Sequence, residues 1–247
     1  MNSEKLRVLV WTEGIYAERQ PLAAKTYPQG IGTVLTEFLS RDAQLIVREG
    51  GLKTMEQDFS EEALAKTDVL VWWGHLYHDE VTDEMAERIC RRILEGMGFI
   101  ALHSSMGSKV FRRLMGTSCH TKWREIAENE RLWVIDTGHP IAVGLEKEYL
   151  DVPHTEIYSE PFDIPAPDEL VFISWYAGGE VLRSGCCYRR GAGKIFYFST
   201  GHEEYPIYHQ PEIQKVITNA VHWAKPSFGP KPQYTCHSPP LEDIHPQ

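Results

Sequence analysis

Three short apolar runs, each followed by a segment of helical character, constrain the fold of this 247-residue chain most strongly. The runs cover residues 6–12 (LRVLVWT), 68–73 (DVLVWW) and 99–102 (FIAL). They show neither helical spacing nor alternation of polar and apolar residues, which is typical of strands buried on both faces of a sheet. Strands that alternate with helices favour right-handed crossovers, so the pattern predicts a parallel sheet with helices on both faces.

Helical periodicity between and after these runs supports the same architecture. Apolar side chains recur at helical spacing over residues 31–39 and 82–95, and Gly96 stands where a helix C-cap is expected. The other elements predicted from the pattern are a long loop at 13–29, strands at 45–47, 132–135 and 170–175, a hairpin over 180–198 and a closing helix at 211–224. The sequence therefore predicts a flavodoxin-like α/β domain, a three-layer α/β/α sandwich with a mostly parallel sheet.

The charge balance excludes some classes of partner. The formal net charge is −10 and the isoelectric point is about 5.6. An acidic surface argues against binding to nucleic acid or to an anionic membrane. No apolar run approaches the roughly 20 residues that span a bilayer, and no signal peptide is expected. The five cysteines fit neither a disulfide framework nor a zinc motif, so we expect a cytoplasmic protein.

The last 22 residues differ in composition from the rest of the chain. Residues 226–247 contain six prolines and few apolar side chains. Such a segment cannot bury enough apolar surface to fold alone. We therefore expect one domain over residues 1–225 and a proline-rich C-terminal arm over 226–247. The arm, with exposed aromatic loops, indicates a homo-oligomer.

Histidines follow several predicted strands at the point where each strand ends. His75 follows the run at 68–73, His103 directly follows the run at 99–102, and His202 follows the last predicted strand. In open parallel sheets, ligands bind outside the carboxyl ends of the strands. A single histidine there is more often an ordinary loop residue, but three at one edge predict a functional site.

Other polar and aromatic residues near this edge are candidates for substrate contact. The segment 153–162 (PHTEIYSEPF) is flanked by prolines and is interpreted as a loop. Trp72 and Trp73 lie inside a buried run and are interpreted as core residues. The candidates for substrate binding are Glu13, His154, Glu156, Tyr158 and Tyr205.

Several longer segments carry a resemblance to a known family. They are FIALHSS near residue 99, DTGHPIAVGL at 136, PHTEIYSEPFDIP at 153, RGAGKIFYFSTGHEEYP at 190 and NAVHWA at 219. In order and spacing, the chain from residue 6 to 224 resembles the ThuA-like (trehalose-utilisation) branch of the class I glutamine amidotransferase-like superfamily. The resemblance implies trehalose or related disaccharide utilisation, on a keto-sugar made by a partner sugar dehydrogenase.

One departure from the amidotransferase pattern changes the expected chemistry. Those enzymes carry a nucleophilic cysteine on the turn after the fourth strand and a His-x-Glu pair after the last strand. His103 stands at the cysteine position here, while His202 and Glu204 match the His-x-Glu pair. An imidazole cannot replace a thiolate in forming a stable thioester, so we expect no glutaminase activity.

Two kinds of chemistry remain open for these residues. In the first, Glu204 orients His202 as a base, His103 acts as an acid and His75 supports them in an isomerase, epimerase or lyase. The chain contains no GxGxxG motif, so a nucleotide cofactor is not supported. In the second, His75, His103 and His202 bind a divalent metal such as zinc, with Glu13, Glu156 or Glu204 as a further ligand, in a metal-assisted hydrolase. A non-catalytic sugar-binding or complex-forming protein is a third hypothesis.

Overall fold

The computed structural model describes residues 5–14 and 20–227, together with residues 240 and 242. The strands are β1 (Leu6–Thr12), β2 (Leu45–Gly51), β3 (Val69–Trp73), β4 (Gly98–Leu102), β5 (Lys122–Val134), β6 (Tyr149–Ser159), β7 (Glu169–Tyr176), β8 (Val181–Arg190) and β9 (Gly193–Phe198). Within the described residues they form one sheet in the order β2-β1-β3-β4-β9-β8-β7-β5-β6. The strands from β2 to β9 in this order are parallel, and the remaining four extend the sheet with antiparallel pairing.

Helices cover both faces of the parallel part of the sheet. They are α1 (Pro21–Thr26), α2 (Ile31–Leu39), α3 (Met55–Asp58), α4 (Glu61–Ala65), α5 (Asp83–Leu94), α6 (Lys109–Met115) and α7 (Pro211–Trp223). Hydroxyl caps set several of their starts: the Thr82 and Ser60 side chains accept hydrogen bonds from the backbone N–H three residues on. Such caps satisfy N–H groups that have no partner inside the helix.

The buried strands divide their side chains between two cores. Trp73 belongs to the core under α2 and α7, whereas Trp72 packs with Trp11 and Phe59 in the core under α4, α5 and α6. Successive side chains of a strand point to opposite faces, so a strand buried on both faces needs a continuous apolar run. Both tryptophans are core residues, as the sequence predicted.

The predicted fold class is confirmed, and most predicted elements agree with the structure within a few residues. Three details differ. The segment 13–29 contains the short helix α1, and β5 extends over 13 residues rather than four. The interpretation of 153–162 as a loop was wrong, because His154, Glu156 and Tyr158 lie in strand β6. A proline-flanked segment can still pair when it forms the edge of a sheet, which is the position of β6.

Features outside the sheet bear on the remaining expectations. In the described part of the chain, no helix is both long and apolar enough to cross a bilayer. The four described cysteines are buried and free. The predicted arm lies outside the described residues, apart from 226, 227, 240 and 242. Its conformation, the subunit number and the cellular location stay predictions.

Candidate active site

Three imidazole rings meet at the carboxyl edge of the parallel strands. His75 follows β3, His103 follows β4 and His202 follows β9. The ring centroids of His75 lie 5.3 Å from those of both other histidines, and the rings of His103 and His202 are 5.4 Å apart. The side chains converge because the three strands are neighbours and run in the same direction.

His103 stands on a sharp turn between β4 and helix α6. Its φ of 54° is unusual for a residue other than glycine, and a 3-10 turn, His103–Gly107, follows at once. The buried ring places Nδ1 3.1 Å from the carbonyl oxygen of Ser199. A carbonyl oxygen only accepts hydrogen bonds, so Nδ1 carries the hydrogen. Any second proton on this ring is therefore at Nε2.

The Nε2 atom of His103 faces a buried carboxylate and a buried phenol. It lies 3.3 Å from Glu156 Oε2 and 3.3 Å from the Tyr158 hydroxyl. That hydroxyl donates to Glu156 Oε2 at 2.6 Å and therefore accepts from Ser104 Oγ at 2.5 Å. Burial raises the pKa of Glu156, but the interactions with His103, together with the Tyr158 hydrogen bond and the charge of His202, outweigh burial and hold the pKa below its usual value. Glu156 is therefore held as a carboxylate beside Nε2 of His103.

His75 forms the closest histidine–carboxylate pair of the cluster. Its Nδ1 is 3.0 Å from Oε2 of the buried Glu203. Burial alone would raise the pKa of Glu203, but the hydrogen bond and charge of His75 outweigh burial and lower the pKa to about 2. Burial lowers the pKa of His75, but the hydrogen bond and charge of Glu203, together with the charges of Glu156 and Glu13, outweigh burial and raise it. The hydrogen is therefore on Nδ1 of His75, and Glu203 accepts it in a hydrogen bond.

His202 has the opposite arrangement of ring hydrogens. Its Nδ1 accepts a hydrogen bond of 3.2 Å from the backbone N–H of Glu204, so the neutral ring carries its hydrogen on Nε2. Burial, and then the neighbouring charge of His103, lower the pKa of His202 to about 4. His202 is therefore a neutral ring near pH 7, and its Nε2 acts as a hydrogen-bond donor.

The carboxylate beside the histidines is Glu203, whereas the sequence pointed to Glu204. Glu203 Oε2 lies 3.0 Å from His75 Nδ1 and 3.7 Å from His202 Nε2. Glu204 contacts His202 through its backbone N–H, and burial together with the charge of Glu203 raises the pKa of its carboxyl group. The predicted pairing of Glu204 with His202 is thus corrected: two adjacent glutamates in a loop cannot be distinguished by motif alone.

The Glu13 side chain binds the main chain of the loop that carries His75. Oε1 accepts from the backbone N–H groups of His75 and Tyr77 at 2.9 Å each, and Oε2 accepts from that of Leu76 at 3.1 Å. The side chain is buried. Both oxygens are thus engaged by the main chain, so the geometry gives Glu13 a positioning role instead of the predicted contact with substrate.

The other predicted substrate contacts are divided between the centre and the rim of the site. Glu156 and Tyr158 lie at the centre, beside His103. Tyr205 is at the rim, with its ring 5.6 Å from His202 and its hydroxyl on Glu125. His154 is exposed, with Nδ1 3.2 Å from the carbonyl oxygen of Ala127. The His154 ring lies 6.4 Å from the ring of Tyr205, so in the described structure it reaches the histidine cluster through Tyr205.

The cluster also has the composition of a metal site. One ligand atom from each of His75, His103, His202 and Glu203 lies within 4.8 Å of the others. His75 and His103 each direct Nδ1 to a carboxylate or a carbonyl, as metal-binding histidines usually do. His202 fits less well, because the Glu204 N–H fixes the hydrogen on Nε2. In this tautomer that nitrogen has no lone pair for a metal.

The fold and the turn at His103 together define a class of protein. A parallel sheet, a strand–turn–helix bearing the central site residue, and a His-Glu loop after the last parallel strand are the features of the glutamine amidotransferase-like fold. A solved glutamine amidotransferase from Thermotoga maritima superposes with a TM-score of 0.56 at 13% identity, covering 90% of this chain and 99% of that one.

The chain belongs to the ThuA family, described as trehalose utilisation, whose model matches residues 7–224. This membership indicates a role in disaccharide utilisation. A ThuA-like protein from Parabacteroides merdae has a TM-score of 0.67 and 13% identity over 90% of each chain. Another from Bacteroides uniformis has a TM-score of 0.66 and 12% identity, covering 91% of this chain and 93% of that one. No curated protein sequence matches significantly.

Proposed function

We propose that this protein is an enzyme of disaccharide utilisation that transfers a proton at a carbon next to the carbonyl group of a keto-sugar. It would act as an isomerase, an epimerase or a lyase. The observation that supports this most is the His75–Glu203 pair beside two further imidazoles, which brings a base and hydrogen-bond donors to one point. The substrate would come from an oxidation catalysed by a partner sugar dehydrogenase.

His75 is the general base in this proposal. Its neutral ring carries the hydrogen on Nδ1, where Glu203 accepts it, so Nε2 holds the lone pair that takes the proton from carbon. The negative charge of Glu203 stabilises the imidazolium that forms. This assignment replaces the sequence-based one, in which Glu204 orients His202 as the base.

His202 and His103 take the other two tasks. The neutral His202 donates Nε2–H to the oxygen of the developing enolate, and a donor already fixed by Glu204 N–H needs no reorganisation. His103 releases or accepts a proton at Nε2, with Glu156 beside it. In a lyase, the electron pair of the enolate expels the glycosidic oxygen, which takes that proton. In an isomerase, His103 gives its proton to the enolate oxygen and takes one from the neighbouring hydroxyl, which becomes the new carbonyl, while His75 returns its proton to the former carbonyl carbon.

The test is proton NMR of a 3-keto-disaccharide in D₂O with catalytic amounts of protein. We expect the signals next to the carbonyl to disappear as deuterium replaces hydrogen. His75→Ala and Glu203→Gln should slow this exchange at least 100-fold, because general acid–base catalysis contributes about that much or more. Glu204→Gln is the matched control and should retain exchange. An unchanged spectrum with folded wild-type protein would refute the proposal and favour the sugar-binding or complex-forming hypothesis.

A metal-assisted hydrolase is the second candidate, favoured by the four converging ligand groups. A bound zinc would polarise a carbonyl or activate a water molecule. The residues that would hold it are His75, His103 and Glu203, with His202 joining only if its tautomer reverses. Elemental analysis of the purified protein, and the NMR assay repeated after chelation, separate the two. Exchange that survives chelation supports proton transfer, whereas turnover that requires zinc supports the hydrolase.

A further inference from the structure

We propose that Trp123 and Glu125, in the first part of strand β5, form a second sugar-binding subsite. This subsite would let the site distinguish a disaccharide from a monosaccharide. The inference deepens the proposed function, on which it rests for the class of substrate. Neither residue stood out in the sequence, because a single tryptophan between charged residues shows no periodicity.

The register of the sheet connects Trp123 to the histidine cluster. Trp123 on β5 is directly opposite Tyr158 on β6. Side chains of directly opposed residues lie on the same face of an antiparallel pair, with Cβ atoms about 5 Å apart. The Tyr158 hydroxyl lies 3.3 Å from His103 Nε2. Trp123 is therefore paired across the strands with the residue whose hydroxyl faces His103, and 68% of the tryptophan is exposed to solvent.

Glu125, two residues from Trp123 on β5, offers a hydrogen-bond acceptor. Its Oε1 accepts from the Tyr205 hydroxyl, which places it at the rim beside His202. Its Oε2 is buried and has no hydrogen-bond partner among the described residues. A buried acceptor without a donor is costly, so it indicates a position where a ligand hydroxyl would bind.

The backbone that carries the two residues is held at both ends. β5 is bulged between Arg124 and Glu128, and Ala127 has a φ of 59°. Arg124 bonds to Glu128 and, through two nitrogens, to Glu180 at 2.7 and 2.9 Å. These ion pairs hold the bulge in one conformation. Bulges often redirect side chains beside active sites. The subsite is thus preorganised, which reduces the entropic cost of binding.

The chemistry of the pair matches a neutral sugar ring. Pyranose rings present an apolar face of C–H groups, which packs on an aromatic surface, and hydroxyl groups at their edge, which donate to carboxylates. Trp123 supplies the first kind of contact and Glu125 the second. A monosaccharide that occupies the histidine cluster would reach neither, whereas the second ring of a disaccharide would reach both.

Calorimetric binding of trehalose and of glucose tests this subsite without requiring turnover. We expect wild-type protein to bind trehalose at least tenfold more tightly than glucose. Trp123→Ala should reduce trehalose affinity about tenfold and leave glucose unchanged, since an aromatic contact contributes about that factor. Trp123→Phe should recover most of the loss, and Glu125→Gln should weaken trehalose binding roughly threefold.

Trp175→Ala is the matched control. Trp175 is 40% exposed on β7 and pairs with Arg131 in the other part of β5, away from Tyr158. It should bind both sugars as the wild type does. The inference is overturned if Trp123→Ala retains the preference for trehalose, if Trp175→Ala loses it equally, or if the wild type shows no preference. Failure of deuterium exchange alone would refute the catalytic proposal and leave this binding result intact.

Discussion

Glu130 is a buried carboxyl group whose titration should control the pH dependence of stability. It lies on β5 and accepts hydrogen bonds from Ser174 Oγ at 2.5 Å, Thr200 Oγ1 at 3.1 Å and Tyr176 Oη at 3.3 Å. Its partners in the described structure are all hydroxyl groups. Burial raises the pKa of Glu130 from 4.5 to about 7, with the hydroxyl groups acting in the opposite direction. Thr200 connects this group to the loop of His202.

The size of the effect follows from that pKa. A difference between 4.5 and about 7 corresponds to about 3 kcal/mol. Because the pKa is higher in the folded state, the folded protein favours the protonated form. This contribution to stability is complete below about pH 4.5 and is lost as the pH rises through about 7. About 2.5 kcal/mol of the change falls between pH 5 and 8.

Glu130→Gln removes the titration while keeping the shape of the side chain. The free energy of unfolding should be measured by urea denaturation at several pH values from 5 to 8, with tryptophan fluorescence as the signal. We expect the variant to gain about 2.5 kcal/mol relative to wild type over this range. Histidines titrate in both proteins, so their contribution cancels in the difference.

Glu146→Gln, at an exposed glutamate, is the control and should track the wild type at every pH. A difference between Glu130→Gln and wild type that does not change with pH would refute the reasoning. In that case Glu130 would titrate at the same pH in the folded and unfolded chains, and its hydroxyl partners would fully offset its burial.

Two further predictions concern residues of the loop after β9, Glu203 and Gly201. Glu203→Gln should lower the pKa of His75, because the carboxylate charge that opposes the effect of burial is removed. NMR titration of the ring protons measures this pKa, and an unchanged titration would contradict the pairing of His75 with Glu203. Gly201→Ala should destabilise the fold by about 2–4 kcal/mol, since Gly201 has a φ of 144° and an added methyl group meets the Tyr208 hydroxyl. Gly138→Ala, which meets no such obstacle, is its control in urea denaturation; equal losses would contradict the steric argument.

Much of the parallel half of the fold was predictable from the sequence. The run at 6–12 and the strand β1 coincide, and the predicted helix at 82–95 is α5 with its cap at Thr82. These features depend on neighbours in the chain, through apolar periodicity and capping residues. The antiparallel half was less predictable. β5 carries charged residues along most of its length, and it is a strand because β6 and β7 pair with it.

The sequence by itself determined that histidines follow β3, β4 and β9, and therefore that three imidazoles reach one edge of a parallel sheet. Only the tertiary structure decided which carboxylates accompany them. Tyr158 meets His103 across 55 residues of sequence, and Glu203 meets His75 across 128. Contacts between distant segments fix the ring hydrogens of His75 and His103, and burial together with neighbouring charged groups shifts the pKa values. Both depend on packing, which no local pattern encodes.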